Sequence, residues 1–379
     1  MIDDMTGTWL GRVWLPEVRG PAVVTLREGR VIDITSAAAP LVRDICEMDD
    51  PAGYVRSAPG RDLGALEEIA SARVGDAAAL HFLAPCDLQA IKACGVTFAR
   101  SMIERVIEER AAGDPSRAEA IRNRIGGLIG RSLRNLRAGS DEAARVKAAL
   151  QEEGLWSQYL EVGIGPDAEV FTKAQPLSAV GPGADVGLHP ISTWNNPEPE
   201  VVLAVASTGR IVGASLGNDV NLRDVEGRSA LLLGKAKDNN ASAAIGPMIR
   251  LFDDGFGIEA IRDLELTVTV RGPDGYEMRG HSSMAEISRA PEDLVAQTIG
   301  RHHQYPDGLM LYLGTLFAPV ADRKLPGEGF THELGDVVRI SAPGLGTLTN
   351  TVRLCTDCAP WWFGARALMA NLAARGLLG

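Results

Sequence analysis

Two glutamates and an aspartate constrain the fold of this chain most, because they can meet only if the backbone between them doubles back. Glu198 and Glu200 are two residues apart, and on an extended strand such residues point to the same face. Residues 201–207 then form an apolar run, 208–209 is a turn signal, and a second extended segment leads to Asp219. The sequence therefore predicts a strand–turn–strand unit with three carboxylates in one pocket.

This set of ligands favours one class of metal ion. Three hard carboxylate oxygens suit Mg²⁺, Mn²⁺ or Ca²⁺, whereas zinc prefers nitrogen and sulfur ligands. We therefore expect Glu198, Glu200 and Asp219 to bind a divalent cation. An acidic pair also occurs on solvated strands, so the rest of the sequence has to support this prediction.

The charge of the chain favours a small-molecule partner. The 379 residues include 38 Lys and Arg and 49 Asp and Glu, so the formal net charge is −11. Nucleic acids and anionic membranes require clustered positive charge, and we expect neither as a partner. The acidic start of the chain does not resemble a targeting peptide, and no apolar run is long enough to span a bilayer. The expected location is the cytoplasm.

The cysteines favour reduced thiols. There are five, an odd number for a disulfide framework in a chain of this size. Cys355 and Cys358 form a lone C-x-x-C motif without the second ligand pair that a structural zinc site needs. We interpret these thiols as inert.

Hydrophobic periodicity predicts an α+β fold that is mainly β. Residues 1–85 read as a smaller N-terminal β-rich domain, and residues 86–379 as a larger second domain with a helical insertion at 102–156. Glycines within 126–130 weaken that insertion and make it a candidate mobile lid. Alternation over 264–270 is typical of a half-buried antiparallel strand, so we expect a rolled β core and not a doubly wound α/β fold.

Further motifs surround the carboxylates in a fixed order. They are Phe171-Thr172-Lys173-Ala174, Arg223-Asp224, Gly234-Lys235-Ala236-Lys237-Asp238, Gly246-Pro247, Gly314-Thr315 and Leu334-Gly335-Asp336-Val337-Val338. Together with the carboxylates, this assembly resembles the fumarylacetoacetate hydrolase superfamily over residues 92–352. The resemblance implies a β-roll catalytic domain, a 2-oxo acid substrate and at least a homodimer. It also implies a divalent metal, usually Mg²⁺, at Glu198, Glu200 and Asp219.

The resemblance also implies roles for other residues. Lys173 and Lys235 align with two site lysines of the family, and either can hold the substrate carboxylate or act as a base, because a nearby metal lowers the pKa of a lysine. Thr315 is expected to hydrogen-bond substrate. Arg223 is placed with the substrate-binding group, mainly as a brace for the metal carboxylates.

One departure from the family pattern bears on the reaction. Hydrolases of the family activate water with a histidine and a glutamate, and here Ser101 stands at the histidine position while Glu104 remains. A serine without a partner is a poor base near neutral pH. The usual route of carbon–carbon bond hydrolysis therefore lacks its base.

Dehydration needs less, and the chain resembles the superfamily members that dehydrate 2-keto-3-deoxy sugar acids. In pentose catabolism these convert 2-keto-3-deoxypentonate to 2-oxoglutarate semialdehyde. Our hypothesis is that Lys235 or Lys173 removes the C3 proton, Glu104 protonates the leaving hydroxyl and Ser101, one helical turn earlier, orients a substrate hydroxyl.

Two alternatives remain open at this point. One is an acylpyruvate-type hydrolase that uses Glu104 alone or a distant histidine such as His281. The other is a non-catalytic protein that binds 2-oxo acids through the metal. The sequence leaves the C4 stereochemistry and the chain length of the substrate undefined.

Overall fold

The structure is a computed structural model that describes the whole chain except residues 73, 124–132, 134, 135, 325, 328 and 379. Its strands are β1 (Trp9–Leu15), β2 (Gly20–Arg27), β3 (Arg30–Asp33), β4 (Arg61–Ala65), β5 (His81–Leu83), β6 (Ala90–Gly95), β7 (Glu169–Ala174), β8 (Asp185–Leu188), β9 (Asn195–Asn196), β10 (Pro199–Val205), β11 (Ile211–Asp219), β12 (Asn221–Leu222), β13 (Ala243–Leu251), β14 (Glu265–Arg271), β15 (Glu277–Ser283), β16 (Leu309–Tyr312), β17 (Val337–Ala342) and β18 (Gly346–Leu354).

The described helices are mostly short. They are α1 (Val42–Cys46), α2 (Pro51–Ser57), α3 (Leu66–Ala70), α4 (Ala99–Ala111), α5 (Pro115–Ile121), α6 (Asp141–Glu152), α7 (Gln158–Ile164), α8 (Arg223–Glu226), α9 (Leu233–Lys237), α10 (Ile258–Arg262), α11 (Pro291–Thr298) and α12 (Ala365–Ala374). No helix in the described ranges combines the length and the apolar composition that a bilayer crossing requires.

Most strands belong to one large sheet in the order β4-β3-β2-β1-β13-β11-β10-β16-β6-β7, with β5 also paired to β1. A five-stranded sheet, β15-β14-β17-β18-β8, packs against it. The pairs are antiparallel except β16 with β6 and β18 with β8. The mainly β fold predicted from the sequence is therefore confirmed, and β14 shows the expected alternation of buried and exposed residues.

The central strand β10 is buried on both faces. Its side chains alternate between two cores, because Val201 and Leu203 pack toward the five-stranded sheet while Val202 and Ala204 pack toward α1 and α2. Such a strand reads as a continuous apolar run of β-branched and aliphatic residues. Glu200 continues the second face, at the end of the strand where the sheet opens into the site.

The first strands of the chain extend this sheet. β1 pairs with β13 through Trp9 opposite Arg250 and Leu10 opposite Ile249. The division at residue 85 stays a prediction, because this pairing joins the two proposed domains edge to edge.

The helical insertion predicted at 102–156 contains α4, α5 and α6 within its described residues. A small core of its own includes Met102, Val106, Ile107 and Leu150. The glycines of the candidate lid at 126–130 lie outside the described residues.

Candidate metal centre and active site

The hairpin of β10 and β11 brings the three predicted carboxylates together. Glu200 lies opposite Gly217 in the antiparallel register, and the backbone N–H of Asp219 donates to the carbonyl of Glu198 at 3.1 Å. Each of the three acids is buried and offers one oxygen, and these oxygens lie within 4.8 Å of one another. The structure therefore assembles the acidic cluster that the sequence predicts.

Each carboxylate is anchored through one of its two oxygens. The anchors are Arg105 Nη2, 2.6 Å from Glu198 Oε1, the backbone N–H of Gly314, which donates to Glu200 Oε2 at 2.7 Å, and Lys173 Nζ, 2.8 Å from Asp219 Oδ1. Burial, followed by the charges of Asp219 and Glu198, raises the pKa of Glu200 well above its usual value. Three clustered carboxylates with hard oxygen donors fit a divalent cation.

A second lysine lies against the opposite oxygens of two of these carboxylates. Lys237 Nζ is 2.5 Å from Glu198 Oε2 and 3.1 Å from Asp219 Oδ2, and its side chain is 3% exposed. Burial alone would lower the pKa of Lys237, but Asp219 and Glu198 raise it. The sequence analysis includes Lys237 in a motif but assigns the site role to Lys235 instead.

The structure does not bring Lys235 to the site, which corrects the prediction from sequence. Lys235 and Lys237 both lie on α9, and residues two apart on a helix point in nearly opposite directions. Lys237 faces the carboxylates, and the side chain of Lys235 is exposed. The sequence motif identifies the correct segment. The orientation of α9 then determines which of its two lysines faces the carboxylates.

Lys173 is in the cluster but is fully enclosed. Its amine donates to the carbonyls of Val220, at 3.2 Å, and of Lys237, at 2.5 Å, in addition to its contact with Asp219. Burial lowers the pKa of Lys173. These contacts fix Asp219, and Lys173 is not among the residues that line the cavity at the carboxylates.

A further acid lines this cavity and was missed from sequence. Glu169 on β7 is partly buried, with its Oε2 atom enclosed, and burial, then the charge of Glu226, raises its pKa to about 7. Among the described residues, Glu169 Oε2 has no hydrogen-bond partner. Gly95 on β6 lies opposite Glu169 in the antiparallel pairing of β6 with β7. A Cβ atom at position 95 would come within 1.9 Å of Glu169 Oε2. Glu169 and Lys173 are four residues apart on β7 and so share one face of the strand. This spacing is the sequence signal that could have identified Glu169.

Arg105 links the metal cluster to two more buried acids. Besides Glu198, its guanidinium lies 2.5 Å from Glu108 and 3.1 Å from Glu226. Burial raises the pKa of Glu226, and the charges of Arg105 and Lys237 offset this only in part, whereas Arg105 and Arg223 lower the pKa of Glu108 despite its burial. Of the residues in this network, the sequence analysis assigned roles only to Glu198 and Arg223.

Arg223 braces a different pair of acids from the one expected. Its Nε lies 2.7 Å from Glu108 and its Nη2 lies 3.4 Å from Glu104, while its guanidinium stacks over Trp194 at 4.2 Å. No contact with the metal carboxylates is present among the described residues. The prediction that Arg223 braces those carboxylates is therefore wrong.

Glu104 is held by arginines on both oxygens. Arg122 bonds its two carboxylate oxygens at 2.8 and 2.7 Å, and Arg223 approaches one of them. Both carboxylate oxygens of Glu104 are therefore engaged by arginines, and Glu104 is not among the residues that line the cavity at the three carboxylates. The structure therefore argues against the predicted role of Glu104 as the acid that protonates the leaving hydroxyl.

Ser101 and Thr315 both line the cavity at the carboxylates. The Ser101 hydroxyl donates to the carbonyl of Phe98 at 2.8 Å, and the Thr315 hydroxyl donates to the carbonyl of Pro199 at 2.9 Å. The described lining contains no histidine, and His281 is exposed on β15. The alternative that recruits His281 is therefore not supported by the structure.

Comparisons with known proteins place these features in context. Residues 146–353 match the family described as fumarylacetoacetate (FAA) hydrolase C-terminal. A "probable 2-keto-3-deoxyxylonate dehydratase" of Haloferax volcanii is 32% identical over 206 residues, which cover 54% of this chain and 67% of the relative. A "2-dehydro-3-deoxy-D-arabinonate dehydratase" of Saccharolobus solfataricus is 30% identical over 185 residues, 49% of this chain but only 58% of that relative.

Solved structures share the fold at lower identity. A "2-keto-3-deoxy-D-arabinonate dehydratase complexed with magnesium and 2,5-dioxopentanoate" has a TM-score of 0.63 at 19% identity, covering 91% of this chain and 98% of that one. A fumarylacetoacetate hydrolase from Exiguobacterium antarcticum has a TM-score of 0.55 at 18% identity, covering 92% and 99%. Dehydratases and hydrolases thus share this fold, and the choice between them depends on the site.

Proposed function

Because the chain belongs to the fumarylacetoacetate hydrolase family, we propose that it is a metal-dependent dehydratase that converts a 2-keto-3-deoxypentonate to 2-oxoglutarate semialdehyde and water. One observation carries the proposal. Beside the carboxylates, the cavity offers a lysine and a glutamate with an unpartnered oxygen, and its described lining has no histidine. This set matches the base and acid of an elimination, and it lacks the water-activating base of a hydrolase.

The proposed metal ligands are Glu198, Glu200 and Asp219. The hard donor set and the magnesium in a structurally similar dehydratase support Mg²⁺ as the ion, with Mn²⁺ or Ca²⁺ as substitutes. When bound, such a cation polarises the 2-oxo group of the substrate and stabilises negative charge on it.

Two residues carry the proton transfers in this proposal. The Lys237 amine takes a proton from C3, which a neighbouring 2-oxo group makes acidic; a cation held by Glu198 and Asp219 would offset the carboxylate charge that raises the pKa of Lys237 and so favour its neutral form. Glu169 gives its proton to the hydroxyl that leaves C4 as water. The unsaturated acid then loses a proton from C5 and regains one at C3, and the resulting enol tautomerises to the aldehyde. A pKa of about 7 suits Glu169 to this exchange near neutral pH.

The remaining residues hold these groups in place. Arg105 and Lys173 fix the orientation of Glu198 and Asp219. Thr315 and Ser101 line the cavity, and we assign them to contacts with the substrate hydroxyls. Buried anchors of this kind reduce the rearrangement that the reaction requires.

The test is to compare substrates on protein freed of metal with EDTA. With Mg²⁺ added back, we expect an aldehyde product from a 2-keto-3-deoxypentonate, offered as both C4 epimers, and no cleavage of an acylpyruvate. Release of pyruvate or acetate from the acylpyruvate, with the pentonate untouched, would show a hydrolase. No Mg²⁺-dependent turnover of any 2-oxo acid would leave the binding-protein alternative.

Two variants test the assigned residues in the same assay. Glu200→Gln should lose Mg²⁺-dependent turnover with an unchanged circular dichroism spectrum, because it removes a ligand charge. Glu169→Gln should keep Mg²⁺ binding and lose roughly 100-fold or more in kcat, the usual effect of removing a general acid. Wild-type turnover by Glu169→Gln would assign the proton transfer to another residue.

The proposal extends to the assembly and the location of the enzyme. We propose a homodimer or a larger homo-oligomer in the cytoplasm, which the family resemblance and the acidic composition support. Sedimentation velocity of the purified chain would measure its mass, and a purely monomeric species would contradict the first of these.

A further inference from the structure

The oxygens of the metal cluster divide into two sets. One oxygen of each acid is anchored by Arg105, Lys173 or the Gly314 N–H. The other oxygens of Glu198 and Asp219 both contact Lys237 Nζ. The anchors can therefore stay in place when a cation binds, whereas Lys237 occupies the oxygens that the cation needs.

We propose that Lys237 is the counter-ion of the metal-free site, and that a divalent cation binds by displacing its amine from Glu198 and Asp219. Metal binding and the release of this amine into the cavity are then one exchange. The inference rests on the proposed metal site and does not depend on which 2-oxo acid reacts there.

The first argument is electrostatic. Glu198, Glu200 and Asp219 are 5%, 2% and 1% exposed, and buried carboxylates without compensating charge are strongly destabilising. The amine of Lys237 supplies that charge at 2.5 Å and 3.1 Å from two of them. A divalent cation supplies twice the charge, so it can replace the amine without leaving the acids uncompensated.

The second argument concerns where the amine goes. Lys237 has a flexible four-carbon side chain, whereas Arg105 is a planar fork bound to three acids at once. The Phe171 ring, which lines the same cavity, lies 5.7 Å from Lys237 Nζ. Glu226 also faces this space. The aromatic face and the second acid give the displaced amine favourable partners inside the cavity.

The first experiment measures metal affinity by calorimetry on EDTA-treated protein, with Mg²⁺ and Mn²⁺ as the probes. Lys237→Met removes the competing amine and keeps the length of the side chain. Lys235→Met is the matched control, because it removes the same charge from the exposed side of the same helix. We expect Lys237→Met to bind the cation at least about tenfold more tightly than wild type, and Lys235→Met to bind as wild type does.

Thermal melting gives a second readout on the same proteins. Lys237→Met should melt below wild type without metal and gain more in Tm from saturating Mg²⁺, because binding to the folded state stabilises it. An affinity for Lys237→Met that is equal to or weaker than wild type would overturn the exchange. If wild type and Lys235→Met bind neither cation, the proposed metal site itself fails.

A measurement on the wild-type chain does not depend on how the variant folds. Amine-directed methylation with formaldehyde and a borohydride, followed by mass spectrometry, reports the accessibility of each lysine. Adding Mg²⁺ should increase the labelling of Lys237 several-fold and leave the labelling of Lys235 unchanged. Unchanged or reduced labelling of Lys237 would contradict the displacement.

Discussion

Two glutamates near the site show how the surroundings of a carboxyl group decide its chemistry. Arg122 and Arg223 hold Glu104, whereas Glu169 lies against Gly95 with one oxygen unpartnered. Both oxygens of Glu104 are occupied by arginines, whereas burial raises the pKa of Glu169 to about 7. Glu169 therefore combines an oxygen that has no partner within the described residues with a pKa suited to proton transfer near neutral pH.

The raised pKa of Glu169 predicts how stability depends on pH. Its pKa rises from 4.5 to about 7 on folding. Ionising Glu169 therefore destabilises the folded state, and this loss of stability is absent below about pH 4.5 and complete above about pH 7. Glu169→Gln should therefore be more stable than metal-free wild type by on the order of 3 kcal/mol at pH 8, and by less than about 1 kcal/mol at pH 5.

Urea unfolding of EDTA-treated protein at both pH values measures this difference. Glu286→Gln, at an exposed glutamate, serves as the control and should not change with pH relative to wild type. Equal stability of Glu169→Gln and wild type at pH 8 would show that Glu169 ionises normally in the folded protein.

At the scale of single residues, sequence reasoning found the three clustered carboxylates that we propose as metal ligands but not their partners. Glu198, Glu200 and Asp219 follow from strand alternation and a turn. Lys237 could not be separated from Lys235, because the sequence does not show which side of a short helix faces the sheet. The pKa of a buried group depends on neighbours distant in sequence, as with Glu169.

Among the elements, α4 connects the insertion to the metal cluster. It carries Ser101, Glu104, Arg105 and Glu108, and both glutamates are buried. Arg105 reaches across to Glu198, so the helix orients a metal ligand that belongs to another part of the chain. A displacement of α4 therefore changes the metal site directly.

Arg105→Lys tests this connection. A lysine has one nitrogen and cannot bridge the three acids that the guanidinium contacts, so Glu198 loses its fixed orientation. We expect Mg²⁺ affinity, measured by calorimetry, to fall about tenfold and the free energy of unfolding to fall by about 1–3 kcal/mol. Arg100→Lys, at an exposed position of the same helix, should change neither. Wild-type affinity in Arg105→Lys would mean that Glu198 is oriented without it.

Sequence reasoning identified α4 from its apolar face but not its charged one. Met102 and Val106 have helical spacing, and this pattern predicts a helix with one buried side. Glu104 and Glu108 would then be assigned to solvent. They can be buried because Arg122 and Arg223, which lie on other elements, pair with them. Local periodicity does not predict such partners.

On the scale of the whole molecule, the N-terminal strands and the catalytic strands share a core. Trp9 and Val13 of β1 pack in one cluster with Met248 of β13. All nine residues of β13 are buried. Without β1, this strand would present an apolar edge to solvent, which is the usual route to aggregation.

Removal of residues 1–85 tests whether the two predicted domains are independent. We expect the fragment 86–379 to be insoluble, or to unfold without a cooperative transition in calorimetry, while the full chain melts cooperatively. A fragment with a cooperative transition within about 5 °C of the full chain would support independent folding.

The class of the fold was predictable from sequence, but the pairing of strands that are distant in the sequence was not. Alternation and turn signals are local, and they indicate mainly antiparallel strands. The pairing of β1 with β13 joins residues 9 and 10 to residues 250 and 249, which are far apart in the sequence. No local pattern specifies which of several apolar strands becomes the neighbour of β1.

The contact between Gly95 and Glu169 gives a rule for interpreting related sequences. Any side chain at position 95 would meet the carboxyl group of Glu169 and force that group to move. In a related chain, a glutamate at the position of Glu169 therefore indicates the same arrangement only where a glycine occupies the position of Gly95. Chains with this sheet can be classified by the residues at these two positions. Chains that have only the glycine or only the glutamate should use a different proton donor.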